Sequence, residues 1–314
     1  MKIFASGIHD ADAQAALRRV TAGDEVTFAS PGGRAAADRQ AVAEAEVALG
    51  ACPPELLASA VRLRWIQFLA VGIDAYRDGP WPELGGRVTC TNLGGVFAEP
   101  MAQSVLAGLL ALERGLDQAL RLQARQSWQK DRLHAGARVL RGAHVLLLGG
   151  GAVGNRVRQL LAAFGCTFTT FARTSGDIHT AAELDAALPR ADIVCAALPD
   201  TPATRDLLDA RRLALLKRDA LLVNVGRGSL LDEAALARAL HAGALRGALL
   251  DVTRHEPLAP DDPLWRCPRL ILTQHSAAGS GDELTAAVDF FGENLARYRR
   301  GRALLNVIDW RKGY

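Results

Sequence analysis

The feature that most constrains this 314-residue chain is a short apolar run, Val145–Leu148, followed at once by Gly149-x-Gly151-x-x-Gly154. Continuous apolar residues without alternation suit a strand buried on both faces of a parallel sheet. The glycines fall where that strand must hand over to a helix, predicted near 153–164. In such a turn the first glycine permits the tight bend, and the second lets the backbone approach a pyrophosphate. The third allows close helix–strand packing, and the amides at the helix N-terminus stabilise the phosphate charge. With 30 glycines in the chain the spacing alone is weak; the strand–turn–helix setting is what points to a dinucleotide site. Gly149, Gly151, Ala152, Val153 and Gly154 are its candidate cofactor-binding residues.

The rest of the chain alternates in the same way. Strands are predicted at Lys2–Ala5, Glu25–Ala29, Val47–Gly50 and Arg64–Leu69, with helices near 11–20, 35–44 and 54–62. After the turn-rich segment Asp78–Gly86, the residues Ala98–Leu122 read as one long helix with Pro100 near its start. Beyond the glycine turn, strands are predicted at Thr167–Ala172, Asp192–Ala197, Ala220–Val225, Gly247–Val252 and Leu270–Thr273. Helices fall near 180–187, 232–241 and 282–300, and LLNVIDWRKGY closes the chain. Alternation on this scale predicts α/β architecture with parallel sheets covered on both faces. A chain of this length is expected to hold two domains.

Composition excludes several classes of function. The net charge of +3 gives no reason to invoke nucleic acid or a membrane surface. Only Lys2, Lys130, Lys217 and Lys312 are lysines, so 33 of the 37 basic residues are arginines and no single arginine stands out by type. Five scattered cysteines without a CxxC pair indicate neither a disulfide framework nor a zinc site; Cys166 and Cys195 read as small core residues. There is no apolar leader and no run of about 18 apolar residues, so a cytosolic protein is expected.

The strand after the glycine turn ends Phe171-Ala172-Arg173-Thr174-Ser175, with no carboxylate before Asp177. An acidic residue there would accept from the adenosine ribose and repel a 2′-phosphate, whereas a guanidinium and hydroxyls bind one. Arg173 and Thr174 therefore predict NADP(H) in preference to NAD(H). Three further strand ends carry Arg227, Glu256 and His275. Reduction of a 2-oxo acid needs a fixed cation for the substrate carboxylate and the carbonyl oxygen, which suits Arg227. It needs a proton donor near neutral pH, which suits His275. A carboxylate beside that imidazole stabilises its protonated form, which suits Glu256. Taken alone, Arg227 reads better as a solvated arginine, Glu256 can simply shape a turn before Pro257, and His255 is a rival donor.

Three segments, Asn224-Val225-Gly226-Arg227-Gly228, Leu250-Asp251-Val252-Thr253-Arg254-His255-Glu256-Pro257-Leu258 and Thr273-Gln274-His275-Ser276-Ala277-Ala278-Gly279, join the glycine turn in one order. Together they resemble the D-isomer-specific 2-hydroxyacid dehydrogenases, closest to the glyoxylate/hydroxypyruvate reductase branch, from about Val71 to Gly313-Tyr314. The resemblance implies catalytic roles for Arg227, Glu256 and His275, with Arg227 and His275 also touching substrate. It implies a substrate loop at Val71-Gly72-Ile73-Asp74, and cofactor contacts at Leu198, Pro199, Thr204, Val225 and Asp251. Trp128 and Trp265 stand where the family often has Trp, and core packing explains them as well. Gln274 replaces the usual Pro before the histidine, and Gln103-Ser104 replaces the usual Glu-His.

The implied fold is two doubly wound parallel-sheet domains with a cleft between them: a Rossmann cofactor domain at 95–283 and a flavodoxin-like substrate domain at 1–94, completed by 284–314. The implied reaction is hydride transfer between NADP(H) and a small 2-oxo or 2-hydroxy acid with D stereochemistry, in a homodimer using the helix after Ala98. Substrate selection is expected near Gly72, Trp81 and residues 276–281. The alternative is a nucleotide-sensing dimer of the corepressor type; formate and phosphoglycerate dehydrogenases are the enzymatic rivals.

Overall fold

The computed structural model describes the chain except for residues 31–34, 51, 53, 58–59, 77–78, 80–83, 85 and 312–314. Trp81, most of the turn-rich Asp78–Gly86 segment, Gly313 and Tyr314 therefore lie outside the described residues. The chain forms two compact units, Met1–Phe97 with Ser280–Tyr314, and Ala98–Gly279.

The first unit is built on five parallel strands: β1 (Lys2–Ala5), β2 (Glu25–Phe28), β3 (Val47–Leu49), β4 (Trp65–Gln67) and β5 (Thr89–Thr91). Their order β2-β1-β3-β4-β5 is the flavodoxin-like one. Successive residues of a strand point to opposite faces. Phe4 accordingly joins one core with Ala48 and Ile66, while Ile3 and Ala5 join the other with Val47, Leu49 and Trp65. Helices α1 (Ala11–Val20), α2 (Ala36–Glu44) and the short α3 (Pro54–Leu57) connect the strands. The predicted helix at 54–62 is not continuous, since Val61 and Arg62 lie in a turn. The chain end completes this unit: Phe291 stacks on Trp65 with ring centroids 5.0 Å apart. Asn294, fully buried, donates to Gln67 Oε1 at 3.1 Å and to the Leu305 carbonyl at 3.2 Å.

The second unit carries six parallel strands: β6 (His144–Leu148), β7 (Thr167–Phe171), β8 (Ile193–Ala196), β9 (Leu221–Asn224), β10 (Gly247–Leu250) and β11 (Leu270–Leu272). The order β11-β10-β9-β8-β6-β7 places β7 on one side of β6 and β8 on the other. The chain therefore reverses its direction of travel between β6 and β8, which is where open α/β sheets form ligand crevices. Leu146 and Leu148 of β6 face one core and Val145 and Leu147 the other, as burial on both faces requires.

The predicted helix Ala98–Leu122 is two helices, α4 (Ala98–Arg114) and α5 (Leu116–Ala124), followed by α6 (Lys130–Gly136). The break is at Gly115, whose φ of 68° lies in the left-handed region that ends helices. Among the described residues no helix is long and apolar enough to cross a membrane, and no cluster of His, Cys, Asp or Glu is placed to hold a metal ion.

Candidate active site

Two of the three glycines in the turn are required by the backbone around them. Gly149 has φ 120°, and a Cβ there would stand 2.8 Å from the Ala197 carbonyl oxygen. At Gly154 a Cβ would overlap the Gly149 carbonyl, so the third glycine is set by packing. Gly151 is different, because a Cβ there would meet nothing within 4 Å. Open space at this position leaves room for a ligand against the backbone. Helix α7 (Ala152–Ala162) starts here with no side-chain cap and no acidic residue in its first turn. Its first N–H groups at Ala152 and Val153 thus keep the anion preference of a helix N-terminus.

At the end of β7, Arg173 and Thr174 are exposed. Asp177, the nearest carboxylate, is turned back onto the strand: its Oδ2 accepts the Thr170 N–H at 2.7 Å. His179 Nδ1 donates to the Ala172 carbonyl at 2.6 Å and closes the same loop. After β8, Ala197 and Leu198 lie beside Gly149, and Gly226 packs close enough that a Cβ would stand 2.6 Å from the Leu198 oxygen. Thr204 spends its hydroxyl on the loop itself, donating to the Pro199 carbonyl at 2.6 Å. The Val225 side chain is buried in the core.

Three loops leave neighbouring strands from one rung, since Leu250 pairs with Asn224 on one side and Leu272 on the other. The β9 loop carries half-buried Arg227; Nη1 donates to the Gly226 carbonyl at 2.7 Å, and the Asn224 amide donates to the Arg227 carbonyl at 2.9 Å. On the β10 loop, Glu256 accepts the Thr253 N–H on Oε1 at 2.8 Å. Its Oε2 lies 2.6 Å from His275 Nδ1, from the β11 loop. A carboxylate can only accept, so Nδ1 carries a proton and Nε2 is the ring nitrogen left for a substrate. Glu256 pairs with His275 and not with its neighbour His255.

Asp251 holds the histidine loop in place. Its carbonyl accepts the His275 N–H at 2.6 Å. Its Oδ1 takes the Thr273 hydroxyl at 2.6 Å and the N–H groups of Ser276 and Ala277 at 2.9 and 3.0 Å. Ser104, from α4, donates to the Ala277 carbonyl at 3.1 Å. Gln274 and His275 have φ of 55° and 57°, two consecutive left-handed residues that these bonds enforce. The cysteines take no part: burial pushes the thiols of Cys52, Cys90 and Cys195 up to about 12.

The sequence profile of the D-isomer specific 2-hydroxyacid dehydrogenase NAD binding domain matches residues 106–277. The chain belongs to the D-isomer-specific 2-hydroxyacid dehydrogenases. It is 32% identical over 267 residues to a glyoxylate reductase of Aeropyrum pernix, covering 81% of this chain and 79% of that protein. Its fold matches a 2-hydroxyacid dehydrogenase of Xanthobacter autotrophicus solved with NADPH and MES, with TM-score 0.85, 30% identity and 99% of both chains covered. A glyoxylate/hydroxypyruvate reductase of Sinorhizobium meliloti, solved with NADP and sulfate, matches at TM-score 0.84 and 27% identity over 99% of both chains.

Within this 2-hydroxyacid dehydrogenase, Arg227, Glu256 and His275 lie on three adjacent loops of the second unit. Val71 and Gly72 lie in the first unit, after β4, where the Val71 carbonyl accepts from the Asn92 amide at 2.8 Å. Trp128 is 92% exposed and Trp265 44% exposed, so core packing explains neither. Sequence reasoning missed Ser104 and Thr253 as partners of the His275 and Glu256 loops. Ser104 carried a signal, because it was one of the departures from the family pattern, but its partner is 173 residues away.

Proposed function

We propose that the protein reduces small 2-oxo acids to D-2-hydroxy acids with NADPH, and that Arg227, Glu256 and His275 carry the reaction. The observation that supports this most is the 2.6 Å Glu256–His275 pair, set one strand from Arg227 at the C-terminal edge of a dinucleotide fold. The cofactor fits the residues present. Gly151 and the uncapped start of α7 receive the pyrophosphate, while Arg173 and Thr174 receive the 2′-phosphate. With Asp177 committed to Thr170, no carboxylate is aimed at that phosphate from its usual place, and the complexes of two related proteins with NADPH and NADP agree.

A bound NADPH supplies hydride to the carbonyl carbon. As the carbonyl π pair moves onto oxygen, the Arg227 guanidinium faces the growing charge and holds the substrate carboxylate. His275 gives the Nε2 proton to that oxygen, and Glu256 opposite Nδ1 stabilises the protonated ring beforehand and keeps it oriented. A homodimer and a cytosolic location belong to the same proposal. Leu116 and Leu120 share one face of α5 and are 53% and 65% exposed, with Val139 at 67%. An exposed apolar set of this kind, with Trp128, suits a second copy of the chain. Five unpaired cysteines suit a reducing compartment.

The test follows absorbance at 340 nm with glyoxylate, hydroxypyruvate and other 2-oxo acids, using both nucleotides. Turnover with kcat/KM for NADPH at least about 10-fold above NADH is expected, on the scale of one charge-assisted phosphate contact. No turnover with any 2-oxo acid refutes the activity. Equal use of the two nucleotides refutes the preference alone.

A further inference from the structure

Glu256 sits on an irregular loop and reaches His275 and the Thr253 N–H. Neither bond ties that loop to the one carrying Arg227. The two loops meet elsewhere, because Gly228 packs against the Thr253–Arg254 backbone so tightly that a Cβ there would overlap it. From that point the Arg254 side chain runs across the junction. Nη2 donates to the Leu231 carbonyl at 2.9 Å and pairs with the Asp206 carboxylate. The Arg254 N–H donates to Glu233 Oε1 at 2.6 Å, at the first turn of the helix Glu233–His241. Asp206 is itself fixed to the β9 loop, its N–H donating to the Ser229 carbonyl at 2.9 Å. Burial pushes the Glu233 carboxyl up from its usual range, and the bond from Arg254 opposes this.

We propose that Arg254 is a positioning residue that locks the Glu256 loop onto the Arg227 loop, so that carboxylate and guanidinium are held in one geometry. This rests on the catalytic reading above. Arg254 touches no reacting atom; it acts through Glu256. A guanidinium suits the task because its planar fork reaches a carboxylate and a carbonyl together. Side chains that carry chemistry must be held to about half an ångström, so losing such a lock is felt in turnover before it is felt in cofactor binding.

A cavity of about 420 Å³ opens beside Arg254, lined also by Asp206, Asp232, Glu233 and Asp262. This gives the test a readout that a merely structural role would not move. Arg254→Ala should lower kcat for 2-oxo acid reduction about 10-fold or more, with KM for NADPH within twofold of the parent. Guanidinium chloride at non-denaturing millimolar concentration should then recover at least threefold of the loss, where equal sodium chloride does not, because the vacated space is lined by carboxylates. Asp206→Asn, which keeps the volume, should lower kcat in the same direction by threefold or more and serves if Arg254→Ala does not fold. The inference is overturned if kcat of Arg254→Ala stays within twofold of the parent. It is equally overturned if kcat and NADPH affinity fall together without guanidinium rescue, or if only Asp206→Asn folds and its kcat is unchanged. A parent protein inactive on every 2-oxo acid defeats the catalytic reading and this one with it; an active parent with an indifferent variant defeats this one alone.

Discussion

Replacing Glu256 with glutamine should cost far more than the loss of one surface charge suggests. The parent carboxylate is committed at both oxygens, with Oε1 taking the Thr253 N–H at 2.8 Å and Oε2 facing His275 Nδ1 at 2.6 Å. In Glu256→Gln the amide oxygen keeps the Thr253 N–H, since only an acceptor can do so. The amide NH2 is then turned toward Nδ1, which must accept. A neutral ring can adapt by moving its proton to Nε2, but the doubly protonated ring would set donor against donor. The perturbation thus removes a charge-assisted bond, worth about 1.5–3 kcal/mol, and penalises the protonated ring. The pair is partly exposed, with side chains 53% and 36% accessible, so solvent discounts the Coulombic part toward the low end. A net 1.5–2.5 kcal/mol corresponds to about a 10- to 70-fold fall in kcat. KM for NADPH should hardly move, because the glycine turn and Arg173 belong to other loops. Steady-state oxidation of NADPH with glyoxylate measures both constants. A variant within threefold of the parent kcat, folded by circular dichroism, would refute the pairing argument.

Other outcomes follow from the same geometry. Arg173→Ala should raise KM for NADPH about 10-fold while leaving KM for NADH within twofold, since only the 2′-phosphate loses a partner; parallel changes would sink the assignment. Gln274→Pro, the residue most of the resembling family carries, should lower kcat here. Proline locks φ near −65° and Gln274 stands at 55°, so the substitution must move the His275 backbone; unchanged activity would contradict this. Glu113, 4% exposed on α4, pairs with Arg246, whose guanidinium burial has already brought down to about 10. Glu113→Ala leaves that charge without its carboxylate and should cost about 3–5 kcal/mol. A thermal melt should show a fall of about 10 °C, and a shift under 2 °C would show the pair to be dispensable.

Elements whose residues repeat with a clear period are legible in the amino-acid sequence itself. The all-apolar β6, the glycine turn and the strand ends bearing Arg227, Glu256 and His275 are all local signals. Strand β5 carries no such signal, because Thr89–Thr91 is three residues long and follows the turn-rich segment. It exists because Trp65–Gln67 pairs with it and the returning tail bonds to it, the Ile308 N–H donating to the Cys90 carbonyl at 2.9 Å. The break at Gly115 is hidden by strong helix formers on both sides. There the Glu113 carbonyl takes the Arg138 N–H at 2.7 Å, a partner from beyond the helix. A sequence places Thr204 and Asp251 at the right strand ends but cannot say which way their oxygens turn. In both, observed bonds go to the protein's own loops.

The departure at Gln274 can be weighed in the same terms. Where a proline precedes this histidine, it stabilises the loop by limiting the unfolded chain, an effect of about 0.4–1 kcal/mol. Here Asp251 Oδ1 receives three donors and the Asp251 carbonyl a fourth, while Ser104 holds the Ala277 carbonyl from α4. Bonds to a carboxylate contribute about 1.5–3 kcal/mol each at best, and neutral ones about 1, so two or three of these already exceed what the ring would add. The loop can therefore hold two left-handed residues in succession without proline, at the one strand end where the backbone conformation decides the direction of His275. Ser104 then falls into place as more than a lost histidine in the long helix. It occupies a position on α4 from which a short hydroxyl reaches this loop and holds the Ala277 carbonyl.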